Sequence, residues 1–173
     1  MSLDSTDVAN VMNPNVITDT EEQNIMSACS IMHGNNIGCV ILVTLEDREK
    51  PTGIFTERDV VRVLGKLDPS FYRVPLREIM SKPVVTVEQT STVREAMQIM
   101  NSKNIRRLVV VDKDQKMIGI ITLKDIFKLI NRSPELITEF YGPSFPVKFR
   151  EMHEKFTEYK FDNLPGPGPG PGL

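Results

Sequence analysis

Apolar residues recur along this chain in a few spacings, and the order of those spacings occurs twice. Ile25, Ala28, Cys29 and Met32 stand at i, i+3, i+4 and i+7, the interval at which side chains share one face of an α-helix. Val93, Ala96, Met97 and Met100 repeat that interval. Two short apolar runs follow each of these segments, 40–43 and 52–55 after the first, 108–111 and 117–121 after the second. Runs of this length between polar turns predict strands. A further short apolar stretch precedes each helix, at 15–18 and 83–87. Another helix is predicted to begin near Thr56, carrying Val60, Val61 and Leu64, and its counterpart near Thr122, carrying Ile126, Phe127 and Ile130. Each half therefore reads strand, helix, strand, strand, helix. Thr92 followed three residues later by Glu95 marks a capping box at one helix start, and Asn24 holds the equivalent cap position in the other.

The residues themselves match as well as the pattern. A shift of 68 positions lays 12–43 on 80–111, so that Met12 meets Met80, Ala28 meets Ala96, and Asn36-Ile37 meets Asn104-Ile105. The shift then falls to 66, and Gly53-Ile54-Phe55-Thr56-Glu57-Arg58-Asp59 lies on Gly119-Ile120-Ile121-Thr122-Leu123-Lys124-Asp125. The length change sits in polar loops, where a duplicated fold tolerates it best. Half of this chain is too small to bury both faces of a sheet alone. The expected architecture is α/β (α+β): two pseudo-symmetric β-α-β-β-α repeats, at 8–67 and 76–132, packed sheet to sheet about a pseudo-twofold axis.

The remainder follows other rules. Pro134, Pro143 and Pro146 predict a short helix and a turn over 134–146. Phe149, Met152, Phe156 and Tyr159 share one face of a helix predicted for 147–161, which would dock on its own domain. Residues 134–161 thus form a C-terminal helical extension. The alternating Gly and Pro of 162–173 suit neither helix nor central strand and predict disorder.

Composition narrows the function classes. A net charge of −2 gives no basic excess for bulk nucleic-acid binding. Cys29, Cys39, His33 and His153 form no metal-ligand spacing and no disulfide framework, so the cysteines read as small buried apolar groups. No apolar run approaches a membrane span, and the N-terminus lacks a signal-peptide pattern; a cytoplasmic location is expected. Catalysis would need an activated nucleophile, a metal cluster or a carboxylate pair with a base. The acids of 44–50 and the pair Glu57/Asp59 supply no such set, so an enzyme is not expected.

The duplicated Gly, two apolar residues, Thr, two variable residues, Asp is the chemical feature. A Thr followed three residues on by an acid is a helix cap. It is also a ligand-site pattern, because a Thr hydroxyl and free N–H groups at a helix start can meet a phosphate, and an Asp one turn on can accept from two ribose hydroxyls. The two readings can coexist. That both copies carry Asp, where a cap alone favours Glu, points to the second.

With the strands of 36–43 and 104–111, these motifs resemble tandem CBS domains, the pair known as a Bateman module, over about residues 8–132. The resemblance implies a regulatory module without obligatory cofactor, binding AMP, ADP, ATP or S-adenosylmethionine between its halves, AMP first among them. It also implies a homodimer and a regulated partner protein. Carried over by residue, one pocket uses Asp59 for ribose and Thr56 toward phosphate, with Met12, Ile17, Ile37, Gly38 and Ile54 around the base. The other uses Asp125, Thr122, Met80, Val85, Ile105, Arg106 and Ile120 in the same way. The family's basic residue of the middle strand implies that Arg107 reaches the phosphate of the Asp59 pocket, while Cys39 faces the Asp125 pocket. The Arg pair also reads as a solvated strand end. An alternative function is a ligand-independent dimerisation or protein-interaction module that uses the C-terminal amphipathic helix.

Overall fold

Two three-stranded sheets, one per repeat, lie face to face. In the first, β1 (Thr18–Thr20) runs parallel to β2 (Cys39–Val43), which pairs antiparallel with β3 (Pro51–Thr56). In the second, β4 (Thr86–Glu88), β5 (Arg107–Val111) and β6 (Met117–Thr122) repeat the arrangement. Even the register break recurs, between Leu42 and Val43 and between Val110 and Val111. Helices α1 (Ile25–Asn35) and α2 (Glu57–Leu64) belong to the first repeat, α3 (Val93–Ser102) and α4 (Leu123–Ile130) to the second, and α5 (Pro134–Phe140) and α6 (Val147–Asp162) follow. This computed structural model describes residues 2–65 and 71–162, with the side chains of α6 as far as Glu158. The tail expected to be disordered lies outside the described residues from 163 on, and so does the Tyr159 side chain.

Local chemistry sets the element ends. The Asn24 side chain accepts from the Ser27 N–H to start α1, and Thr92 and Glu95 close a full capping box on α3. Asn36 and Asn104, matched in the duplication, turn the chain out of α1 and α3 with φ of 51° and 53°. Asn tolerates that left-handed conformation better than other non-glycine residues.

The strand alternation sorts side chains between two kinds of core. Val40 and Leu42 of β2 pack under α1 with Ile25, Ala28 and Phe55; Leu108 and Val110 of β5 do the same in the second repeat. Their neighbours Ile41, Val109 and Val111 point the other way and meet between the sheets, joined by Val16, Ile54, Val84, Met117 and Ile120. This apolar layer is the sheet-to-sheet contact expected from the repeat.

Four features depart from the expected pattern. The first strand of each repeat is displaced, to 18–20 from 15–18 and to 86–88 from 83–87, because Asn13 is taken up elsewhere and Pro14 and Pro83 have no N–H to give. Cys29 and Cys39 are half-buried rather than buried, and burial still pushes the Cys29 thiol above its ordinary value. Of the apolar set on α2, Val61 is 70% exposed and Leu64 46% exposed, whereas their counterparts Phe127 and Ile130 on α4 are buried. The C-terminal extension makes that difference: α5 and α6 cover α4 with Leu136, Phe140 and Phe149, each worth about 1.5–3 kcal/mol on burial. Met152 and Phe156 pack against the same cluster, so these residues and Phe149 of the expected face are docked within the chain.

The fourth departure matters most for the site. The segment leading into each repeat packs on the other repeat. Leu3 and Val8 are buried among Val93 and Phe127, with Val8 N–H bonded to Ser91 C=O at 2.8 Å. Leu76 and Met80 are buried with Ile25 and Phe55, and Leu76 N–H donates to Gln23 C=O at 2.7 Å.

Candidate functional site

The crossing segments decide how the two clefts are built. Asn13 forms two backbone hydrogen bonds with Ile120 of β6, at 2.8 and 2.9 Å, and Ser81 forms two with Ile54 of β3, at 3.0 and 2.9 Å. Next to these bridges, the Met12 thioether lies against Gly119 and the Met80 thioether against Gly53. A β-carbon at either glycine would collide with that methionine, which is a physical reason for the glycine that opens each motif. Met12 and Met80 were expected beside the base; the structure sets them on these glycines, lining neither cleft.

One cleft, of about 290 Å³, opens at Thr56 and Asp59. Gly38 and Ile54 line it. Val85, Ile105, Arg106 and Ile120, assigned by sequence to the other pocket, line it too, together with Val84, Ser81 and Arg107. The other cleft, of about 760 Å³, opens at Thr122 and Asp125. It is lined by Ile17 and Ile37, assigned by sequence to the Asp59 pocket, and by Cys39, Gly38, Ile120, Arg106 and Arg107. The partition is therefore crossed. Each Thr-x-x-Asp motif faces the leading loop and helix end of the opposite repeat, because those loops are held across the sheet interface by the Asn13–Ile120 and Ser81–Ile54 bridges. Arg106, Arg107, Gly38 and Ile120 stand between the clefts and line both. The Arg107 guanidinium also donates to Gly38 C=O at 2.9 Å, tying β5 to the entrance of β2.

At each motif, cap and site are one object. The Thr56 hydroxyl accepts from Asp59 N–H and donates to Asp59 Oδ2 at 2.8 Å, while Thr56 N–H donates to the same oxygen at 2.9 Å. Thr122 and Asp125 repeat this, so Asp closes a complete capping box in both places. The shorter acid is thus no departure from a cap. It also means that each Thr hydroxyl proton is held by its own Asp and is not presented to a phosphate.

The two carboxylates differ at their second oxygen. Asp59 is 5% exposed, and its Oδ1 accepts from Arg62 Nη2 at 2.7 Å and from Ser81 Oγ at 3.3 Å. Arg62 Nη2 also reaches Ile79 C=O. Among the described residues Asp125 Oδ1 has only Lys128 Nζ, at 3.9 Å, and its side chain is 24% exposed. Asp125 thus offers an open acceptor to its cleft, and Asp59 offers one only when Arg62 or Ser81 moves. Arg62 and Lys128 fall three residues after their acids, a spacing visible in the sequence that the motif reading passed over. Ser81 in the Asp59 cleft and Lys155 in the Asp125 cleft carry no signal short of the tertiary structure. Met152 and Phe156 show in the sequence only as a docking stripe, and the packing of α6 makes them a wall of the Asp125 cleft.

Among the described residues no three His, Cys, Asp or Glu side chains are grouped to hold a metal ion, and no helix is long and apolar enough to cross a membrane. His153 is buried between α6 and α4. Its Nδ1 is hydrogen-bonded with the Tyr141 hydroxyl and its Nε2 with Asn131 Oδ1, each at 2.9 Å, and desolvation pushes its pKa below the ordinary value.

Known proteins show the same architecture. The CBS domain model matches residues 8–66 and again 76–132. An uncharacterized protein of Methanocaldococcus jannaschii is 42% identical over 130 residues, 75% of this chain and 63% of its own length. An uncharacterized protein of Methanopyrus kandleri is 38% identical over 125 residues, 72% of this chain and 63% of its own. The chain thus spans less than two thirds of these relatives. Among solved structures, the CBS domain pair of protein MJ0100, in complex with 5′-methylthioadenosine and S-adenosyl-L-methionine, is 28% identical with a TM-score of 0.65, covering 72% of this chain and 99% of that one. A CBS domain protein from Pyrobaculum aerophilum, complexed with AMP, shares the fold with a TM-score of 0.66 at 22% identity, over 77% of this chain and 96% of that one. With two matched domains, a duplicated fold and paired clefts between the halves, this chain belongs to the CBS domain family as a tandem CBS pair.

Proposed function

We propose that this chain is a non-catalytic regulatory module that binds an adenosine nucleotide in the clefts between its CBS repeats and modulates a partner protein. The observation that carries the reading is the arrangement of each cleft: a capping-box Asp at one end, two guanidiniums, Arg106 and Arg107, shared between the clefts, and apolar walls from both repeats. Apolar walls suit a purine, a carboxylate accepts from vicinal ribose hydroxyls, and paired guanidinium donors suit phosphate oxygens. The adenosine-type ligands of the MJ0100 pair and the AMP of the Pyrobaculum protein support the same ligand class.

In this reading Ile17, Ile37 and Cys39 contact a ligand at the Asp125 site, and Ile54, Val85 and Ile105 one at the Asp59 site, as the cleft linings support. Val61 and Leu64 on α2 and Met26 on α1, all left exposed in the first repeat, support a homodimer through that repeat. The unpaired Cys29 and Cys39 suit the reducing cytoplasm. The interaction-module alternative is disfavoured in its original form, since the apolar face of α6 is already packed on the second repeat. The test is a thermal-shift and calorimetric panel of AMP, ADP, ATP, S-adenosylmethionine and methylthioadenosine. A ligand at about 100 times its Kd should stabilise the fold by about 2.7 kcal/mol. If no member of the panel raises the melting temperature, the proposal fails.

A further inference from the structure

The C-terminal helix presents two sides to the second repeat. One side of α6 packs Phe149 and His153 against α4 and α5. The adjoining side, with Met152, Lys155 and Phe156, faces the cleft that holds Asp125. Phe156 lies 5.7 Å, ring to ring, from Phe127, which lines the same cleft from α4. Among the described residues the first repeat has no equivalent wall, Val61 and Leu64 of α2 stay exposed, and the cleft that has the wall measures about 760 Å³ against about 290 Å³.

The charge of the enlarged cleft is one-sided. Lys124, Lys128, Lys155, Arg106 and Arg107 line it, against the acids Glu57 and Asp125. Lys124 and Lys155 carry no ion pair among the described residues. A flexible ammonium at the rim of a partly enclosed, net-positive cleft is a receptor for an anionic group.

We infer that α6 completes the Asp125 site, with Lys155 binding the phosphates of a nucleoside polyphosphate and Phe156 closing the apolar wall, so that occupancy of the cleft and docking of the C-terminal helix reinforce each other. This rests on the proposed nucleotide reading of the clefts. A ligand that touches both α4 and α6 binds best when α6 is docked, and by reciprocity it stabilises the docked helix. The same helix reaches the rim of the other cleft, where Lys148 donates to Asn104 Oδ1.

The full chain is titrated with ATP, AMP and adenosine by calorimetry, as wild type, Lys155→Ala and Asp125→Ala. Amide exchange across α6 is followed with and without ATP. Lys155→Ala should weaken ATP at one of two sites by about tenfold or more, the loss expected of one charge-assisted contact. It should leave adenosine within about twofold. ATP should slow exchange across α6 in the wild type and do so less in Lys155→Ala. If Asp125→Ala loses ATP while Lys155→Ala binds it as the wild type does, the cleft binds nucleotide without α6 and the inference is overturned alone. Unchanged exchange across α6 under saturating ATP overturns the coupling. If the wild type binds none of the three, this inference and the nucleotide reading fall together.

Discussion

Arg62→Ala should destabilise the fold and yet strengthen nucleotide binding at the Asp59 cleft. In the structure Arg62 Nη2 gives one hydrogen bond to Asp59 Oδ1 and one to Ile79 C=O, both at 2.7 Å. A hydrogen bond to a charged partner contributes about 1.5–3 kcal/mol. The Arg62 side chain is half exposed, so solvent screening reduces that to about 1–2 kcal/mol. Folding loses this amount in the variant. Ribose hydroxyls, however, compete with Arg62 for the same oxygen, since Oδ2 is already taken by Thr56 N–H and Oγ1. Without Arg62, Oδ1 is contested only by Ser81 at 3.3 Å, and the ligand no longer displaces a bond of about 1 kcal/mol. AMP should then bind about fivefold more tightly. Calorimetry in an Asp125→Ala background isolates the site, and urea melts measure the stability change. The matching Lys128→Ala should change little at the other cleft, because Nζ stands 3.9 Å from Asp125 Oδ1. Weaker AMP binding in Arg62→Ala would refute the reasoning and make Arg62 a ligand contact.

Arg107→Ala should weaken AMP far more than methylthioadenosine, and at both sites, since Arg107 lines both clefts; equal losses for the two ligands would mean that it only shapes β5 against Gly38. Phe140→Ala should cost about 3–5 kcal/mol in a denaturant melt, because the ring is fully buried among Phe127, Phe145 and His153. The buried His153 binds its proton less readily when folded than when unfolded, so the unfolded chain takes up protons first as pH falls. Its contribution is complete above the unfolded value of about 6.5 and is lost as pH drops below it toward the depressed native pKa. The melting temperature should therefore fall between pH 7.5 and 5.5 more in wild type than in His153→Gln, and an equal fall in both would exclude His153 as the cause.

By itself the sequence determined what local rules can determine. The interval of Ile25, Ala28 and Met32 and its copy in α3 specify helices, and the 68- and 66-residue shifts specify a duplicated half whose apolar strands need a second sheet to cover them. Asn24, Thr92, Thr56 and Thr122 announce helix starts, because a cap is a hydrogen bond between residues three apart. The identity of the cleft residues was largely legible for the same reason, since the motif carries them at fixed positions. Their grouping was not. Ile17 and Ile37 face Asp125, and Val85 and Ile105 face Asp59, because the backbone of Asn13 pairs with Ile120 and that of Ser81 with Ile54. Those pairings join residues far apart in the chain, and no periodicity encodes them. The closed second oxygen of Asp59, the exposed Val61 where Phe127 is covered, and the wall that α6 lends to the larger cleft were likewise decided only when the halves and the extension packed. Burial and cross-chain hydrogen bonds are properties of the assembled core, whereas spacing and caps are properties of the chain.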